Sequence, residues 1–248
     1  MSTSKSITLI LPAYNEEARI EDTVRAAVKY FKDRGDDYEI IVSADGDDGT
    51  REIVSRMSEC NSRLKVTGSS ERCGKGYGIR RAVNMANGEV IGFADADDKT
   101  PIDELDKMLP YLQEGWQVVI GSRGESESVI ERHQPWYRRV GSKGFRVLMH
   151  LVTGLWDISD TQCGFKFFHG DVARDLFHHQ VIDGYMFDVE ILFLARKLGY
   201  RIQQVPVRWR DDGDSRLNLV TGNIQNVRDL LKIRFHPYKS NSRVQERA

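Results

Sequence analysis

Short apolar runs alternate with stretches of helical period through the first half of the chain. Ile7 to Leu11 is an apolar run closed by Pro12, which has the length of a buried strand. Ile20, Val24, Ala27, Val28 and Phe31 then recur at helical spacing, with Gly35 as a stop. Tyr38 to Ser43 predicts the second strand, and Ile53, Val54 and Met57 mark the helix after it. Leu64 to Thr67 reads as a third strand, followed by a helix with Ile79, Val83 and Ala86 on one face. Glu89 to Ala94 predicts the fourth strand, and Leu105, Met108, Leu109 and Leu112 a single helix. Gln117 to Gly121 completes the series as a fifth strand. Strands alternating with helices of this length predict an α/β fold, a mostly parallel sheet flanked by helices on both faces.

The second half is less regular. Val189, Leu192, Phe193 and Arg196 predict a core helix before Gly199. Val205, Val207 and Trp209 alternate as in a strand, with Pro206 favouring an edge. Asp211 to Asn218 is polar, the composition of a loop able to close over a site. Ile224, Val227, Leu231 and Arg234 continue a final helix. There is no internal repeat, so one domain is expected over residues 1–236, with a disordered tail at 237–248.

Composition narrows the class. The 248 residues, 40% of them hydrophobic, suffice for one substantial core. A formal net charge of -1 gives no electrostatic reason to expect nucleic acid as a partner. Cys60, Cys73 and Cys163 are odd in number and far apart, which predicts no disulfide framework and a reducing, cytoplasmic location. The start is short and polar, and no apolar run approaches the roughly 18 residues of a membrane span. A soluble or peripheral protein is expected.

Ligands of such sheets bind beyond the carboxyl ends of the strands. Four polar clusters fall there: Pro12-Ala13-Tyr14-Asn15-Glu16, Asp45-Gly46-Asp47-Asp48-Gly49, Asp95-Ala96-Asp97-Asp98 and Ser122-Arg123. Asp, Asn and Gly are also ordinary turn residues. Four such clusters at one edge favour a single site. Asp95 and Asp97 flank a small residue, and such a carboxylate pair suits Mg²⁺ or Mn²⁺ bridging a diphosphate. Gly74-Lys75-Gly76-Tyr77-Gly78 matches neither a P-loop nor a dinucleotide fingerprint. It fits either an anion at a helix start or a loop with a solvated lysine.

The segment Glu131 to His150 carries Arg132, Arg138, Arg139, Lys143 and Arg146 against one acid, with Trp136, Val140 and Val147 interleaved. Two readings stand: a basic amphipathic helix on anionic headgroups, or a helix packing its apolar face on the domain.

These clusters, in this order, resemble family 2 glycosyltransferases of GT-A fold, a Rossmann-like single domain. Gly121-Ser122-Arg123, Asp160-Thr161-Gln162-Cys163-Gly164-Phe165-Lys166, Phe187-Asp188-Val189-Glu190 and Val205-Pro206-Val207-Arg208-Trp209 extend the likeness. Together they look like the dolichyl-phosphate β-glucosyltransferase branch, close to the polyprenyl-phosphate mannosyltransferases. The resemblance implies that Pro12, Tyr14, Glu16 and Asp45 line the base and ribose pocket, with Lys75 nearby. It implies that Asp95 helps hold the donor and Asp97 is the principal metal ligand. Arg123, with Arg138 or Arg139, would receive the phosphate of a dolichyl or polyprenyl phosphate acceptor. The implied reaction inverts the anomeric carbon of a nucleotide sugar, UDP-glucose favoured over GDP-mannose, with Mg²⁺ or Mn²⁺. Asp160 and Asp188 would orient basic residues or the sugar.

The chain departs from that pattern in three places. Ala44 stands where relatives carry the first of two aspartates. Lys99 stands where the mannosyl branch often carries a polar metal ligand. No stretch of these residues reads as the membrane-spanning helix of many eukaryotic relatives, so lipid use is expected to rest on peripheral contact. Two other readings follow: an enzyme of this family with a saccharide acceptor, using Asp160 or Asp188 as general base, or a nucleotide-sugar binding protein with a decayed site.

Overall fold

The computed structural model describes residues 5–123, 136–210 and 221–238, with the backbone alone at 136–143 and 221–223. The first half follows the predicted alternation: β1 (Ile7–Tyr14), α1 (Ile20–Arg34), β2 (Tyr38–Asp45), α2 (Thr50–Glu59), β3 (Leu64–Thr67), α3 (Lys75–Val83), β4 (Val90–Ala94) and β5 (Val118–Ser122). β1 runs on through Pro12, which lies past Ile10, the last residue paired with β4. Only its β2 side continues as a ladder there.

The helix expected around Leu105 to Leu112 is two pieces, a 3₁₀ turn at Ile102–Lys107 and α4 (Leu109–Gln113), with Pro110 in the first turn of α4. Pro110 lacks the N–H that a continuous helix would need, so the chain restarts there. Beyond β5 come α5 (Trp136–Thr153), β6 (Phe165–His169), α6 (Gly170–His179), α7 (Phe187–Lys197), β7 (Ile202–Pro206) and α8 (Thr221–Phe235). β6 and α6 were not anticipated. β7 starts three residues before the predicted alternation and does lie at an edge.

The sheet has seven strands in the order β3-β2-β1-β4-β6-β5-β7. β6 alone is antiparallel to its neighbours β4 and β5, so all the other strands point the same way. Apolar side chains fill both faces. On one, Ile10, Ile41, Phe93 and Phe168 pack with α3, α6 and α7. On the other, Leu9, Ile40, Phe165 and Phe167 pack with α1, α2 and the turn at Leu105. Burial on both sides accounts for continuous apolar strands instead of alternating ones.

The folded chain reaches further than the expected boundary at residue 236. Tyr238 is buried, packs its ring at a tilt against Phe193 and donates its hydroxyl to Glu190 at 2.8 Å. Residues 239–248 and the loop expected at Asp211 to Asn218 lie outside the described residues. No helix among the described residues is long and apolar enough to cross a membrane. The cysteines are free thiols.

Candidate active site

β1, β2, β4 and β5 all end at one edge of the sheet, at Tyr14, Asp45, Ala94 and Ser122. The segment after β1 is laced to the segment after β2. The Asp47 N–H donates to Asn15 Oδ1 at 3.2 Å, the Glu17 N–H to Asp48 at 2.9 Å, and the Gly49 N–H to Glu17 Oε2 at 2.8 Å. The Glu16 N–H reaches Thr50 Oγ1 at 2.9 Å. Pro12, Tyr14 and Glu16 are thus fixed on one continuous rim. The Arg72 guanidinium lies 4.5 Å from the centre of the Tyr14 ring, a cation–π contact that no sequence signal had singled out.

Asp45 has a structural task on that rim. It is 6% exposed and accepts the Ser69 and Cys73 N–H groups, at 3.2 and 3.0 Å, and Arg81 Nη2 at 2.8 Å. Both carboxylate oxygens are therefore engaged in holding residues 69–73 against β2. Ala44, where relatives have an acid, is fully buried.

The turn after β4 carries the two paired aspartates. Ala96 is buried, and its carbonyl accepts the Thr23 hydroxyl at 2.8 Å, which pins the turn to α1. Lys75 Nζ sits 2.6 Å from Asp95 Oδ1, and Lys99 Nζ 3.0 Å from Asp97 Oδ2. Burial pulls the Lys75 pKa down, but the Asp95 and Asp188 carboxylates outweigh it and the net shift is upward. Lys75 is the first residue of α3. The glycines around it serve close packing: a Cβ on Gly76 would come within 2.6 Å of the Ile182 carbonyl oxygen. The solvated-lysine reading therefore gives way to a lysine pinned between the rim and the Asp95 turn.

Arg123 follows β5 and meets Asp160 edge to edge. Nε is 2.7 Å from Oδ2, Nη2 is 3.0 Å from Oδ1, and the Arg123 N–H reaches Oδ2 at 3.1 Å. Burial raises the Asp160 pKa and Arg123 lowers it further, so the net shift is downward. The other face of the guanidinium lies 5.1 Å from the centre of a Trp209 ring.

Residues 160–166 connect the two halves of the site. The Asp95 N–H donates to the Gly164 carbonyl at 3.1 Å, and a Cβ on Gly164 would lie 2.1 Å from Asp95 Oδ2. Two residues on, Lys166 is fully buried, pairs with Asp188 and donates to the Cys163 carbonyl at 2.7 Å. Burial pushes the Asp188 carboxyl up, against the pull of Lys166 and Lys75. Burial likewise pushes the Cys163 thiol up to about 12, which rules it out as a thiolate nucleophile. Glu190, the second acid of the same motif, accepts the Val181 and Ile182 N–H groups at 2.8 and 2.9 Å.

The segment after β7 closes the frame. Arg208 pairs with buried Glu104 and with Asp103, and the Arg210 N–H donates to the Lys99 carbonyl at 3.0 Å. Sequence reasoning had missed Arg81 and Glu104, and it named Gly164 and Lys166 only as parts of a motif, with no role assigned to either. The roles of Glu104 and Lys166 were hidden because a buried charge is recognised only once its partner is placed. Arg138 and Arg139 lie on the backbone of α5, and their side chains fall outside the described residues, as does all of 124–135.

Asp95 and Asp97 offer hard oxygen donors on one tight turn, and no cluster of three or more acid, His or Cys side chains competes with them among the described residues. That donor set suits Mg²⁺ or Mn²⁺ completed by phosphate and water. The two ammonium groups already on these carboxylates mark the spot as one that favours positive charge.

Residues 8–177 match the family described as glycosyl transferase family 2. A dolichyl-phosphate beta-glucosyltransferase of Trichomonas vaginalis is 32% identical over 92% of this chain and 71% of its own length. That of Drosophila melanogaster is 32% identical over 94% of this chain and 75% of its own length. The fold matches glucosyl-3-phosphoglycerate synthase of Mycobacterium tuberculosis, solved with Mn²⁺, UDP and glucosyl-3-phosphoglycerate. The TM-score is 0.69 at 24% identity, covering 94% of this chain and 81% of the other. With the rim, the paired aspartates and the Arg123 frame all on one edge of a matching sheet, the chain belongs to glycosyl transferase family 2.

Proposed function

We propose that this chain is an inverting hexosyltransferase that moves glucose from UDP-glucose to a dolichyl or polyprenyl phosphate, with Mg²⁺ or Mn²⁺, at the cytoplasmic face of a membrane. The observation that carries the acceptor class is the state of the two spare acids. Asp160 is locked to Arg123, and Asp188 is buried on Lys166. Neither is poised as a general base, which a sugar hydroxyl would require. A phosphate oxygen is already a competent nucleophile near neutral pH. The names of the relatives point to the same acceptor and to glucose.

In the reaction, an acceptor phosphate oxygen forms a bond to the anomeric carbon as the bond from that carbon to the diphosphate oxygen breaks. UDP leaves with the electron pair, and the α-linked donor gives a β-linked product. Arg123 holds the incoming phosphate, with Arg138 or Arg139 beside it. Pro12, Tyr14 and Glu16 line the nucleoside pocket, which Asp45 shapes through residues 69–73. Lys75 and Asp95 hold the donor, and Asp97, with Asp95, would ligate the metal. The metal supplies charge stabilisation of the departing diphosphate. Catalysis then rests on alignment and preorganised charge.

The test is the purified chain with UDP-glucose, a polyprenyl phosphate and Mn²⁺, assayed for lipid-linked glucose beside Asp97→Ala and with GDP-mannose in parallel. Product from UDP-glucose that needs metal and Asp97 is the expected result. Product only from GDP-mannose, or only on a saccharide, would overturn the assignment.

A further inference from the structure

Ten large apolar side chains are exposed among the described residues, and seven of them lie on α5, on the turn that follows it, or on α8. The two helices pack against each other. Each turns its polar logic inside out. On α8, Leu230 and Ile233 are buried, while Ile224, Leu231 and Phe235 fall on the opposite stripe and are 60%, 47% and 77% exposed. On α5, Met149 is buried and Val147 and Leu151 face outward. Trp156, 60% exposed, is held by stacking on His150 with ring centres 5.3 Å apart. A solvent-facing helix ordinarily shows polar residues there, and a clustered apolar face marks an interaction surface.

The charge on the same surface identifies the partner. Arg146, Arg228, Lys232 and Arg234 are exposed beside the apolar stripe. α5 contains no acid at all, and the one acid of α8, Asp229, is 9% exposed and bonded to Gln225. A chain whose formal net charge is -1 thus carries cations along the exposed faces of both helices, and the nearest exposed acids, Asp157 beside Trp156 and Asp183 near α8, are paired with Arg196 and Arg80. Apolar anchors, an interfacial tryptophan and surrounding basic residues are what an anionic lipid surface accepts.

The position of the surface agrees with this. α5 ends at Thr153, and six residues on Ser159 Oγ lies 2.8 Å from Ser122 Oγ while Asp160 holds Arg123. The C-terminal end of α5 is therefore tied to the acceptor end of the site, and α8 packs on α5. We infer that the exposed faces of α5 and α8 with Trp156 form a docking surface for an anionic bilayer, which seats Arg123 at the headgroup level. Its purpose rests on the lipid-acceptor reading above.

The test is co-sedimentation of the full chain with phosphatidylcholine vesicles, with and without phosphatidylglycerol and free of any acceptor lipid. Wild type should bind the anionic vesicles, and Leu151→Ser/Leu231→Ser/Phe235→Ser should lose about tenfold or more of that binding. UDP-glucose affinity, unchanged in the variant, verifies its fold. Arg228→Glu, at an exposed position of the same stripe, should weaken binding in the same direction and serves if the triple variant misfolds. Equal binding of variants and wild type, or no binding to anionic vesicles, would overturn the inference. So would a stable dimer in solution that the triple variant dissociates, because a second copy would then cover the surface. Vesicle binding without product would fault the assigned reaction alone, and product without vesicle binding would fault the docking surface alone.

Discussion

Asp160 grips Arg123 through both ends of its carboxylate, Oδ2 on Nε at 2.7 Å and Oδ1 on Nη2 at 3.0 Å. The pair fixes the plane of the guanidinium, and a carboxylate so held cannot also collect a proton from an acceptor. Asp160→Asn should therefore lower kcat/KM for the phosphate acceptor by about 10- to 100-fold, through weaker alignment. UDP-glucose affinity should stay unchanged. A loss beyond about 10⁴-fold at intact donor binding would mean general-base catalysis by Asp160.

The same pair shapes acid stability. Arg123 stays charged, so Asp160 holds its proton less tightly in the folded chain than in the unfolded one. A depressed folded pKa contributes stability above the unfolded value, about 3.9, and loses it as pH falls through the folded value. Thermal melts of wild type and Asp160→Asn between about pH 7 and about pH 2 should show the full gap above about pH 4 and its closure below. A gap constant with pH would disprove the coupling.

Lys99 lies on the carboxylate that would ligate the metal, at 3.0 Å from Asp97 Oδ2. Removing its charge relieves repulsion toward an incoming dication, so Lys99→Gln should tighten Mn²⁺ binding about tenfold in the absence of nucleotide. Loss of the free Mn²⁺ signal in electron paramagnetic resonance titrations measures this directly. Unchanged or weaker binding would show that Lys99 supports the metal site by another route.

Gly164 leaves no room for a side chain beside Asp95. Gly164→Ala would place a methyl 2.1 Å from Asp95 Oδ2, so the aspartate turn must shift. Turnover should fall by about 100-fold or more, since a displacement of this kind misaligns the reacting groups. A melting temperature within a few degrees of wild type would separate this from unfolding, and near-normal turnover would refute the contact.

Tyr238→Phe removes the hydroxyl that bonds Glu190 at 2.8 Å and leaves that buried carboxylate with one partner fewer. The expected cost is about 1–2 kcal/mol, read from denaturant midpoints. An unchanged midpoint would place Tyr238 outside the cooperative fold.

Much of this was legible in the sequence. The first five strands and the shared rim were readable because βα alternation writes its period into apolar positions, from Ile7 to Gly121. β6 was not: Phe165–His169 is one apolar run with a lysine inside it, and a buried Lys166 argues against a core strand until Asp188 is seen opposite. The paired aspartates and Arg123 were found as motifs. Lys99 lies two residues from Asp97, but the Lys75 partner of Asp95 and the Asp160 partner of Arg123 come from segments distant in the chain, and spacing along a sequence carries no record of such pairings.

The reversed strand has a consequence for the size of ligand the site can hold. Because β6 lies between β4 and β5, the Asp95 turn and Arg123 stand two strand spacings apart, about 10 Å. β6 works as a spacer bar: its entry loop fills the floor between the two ends, and its width sets the gauge for anything that must touch both.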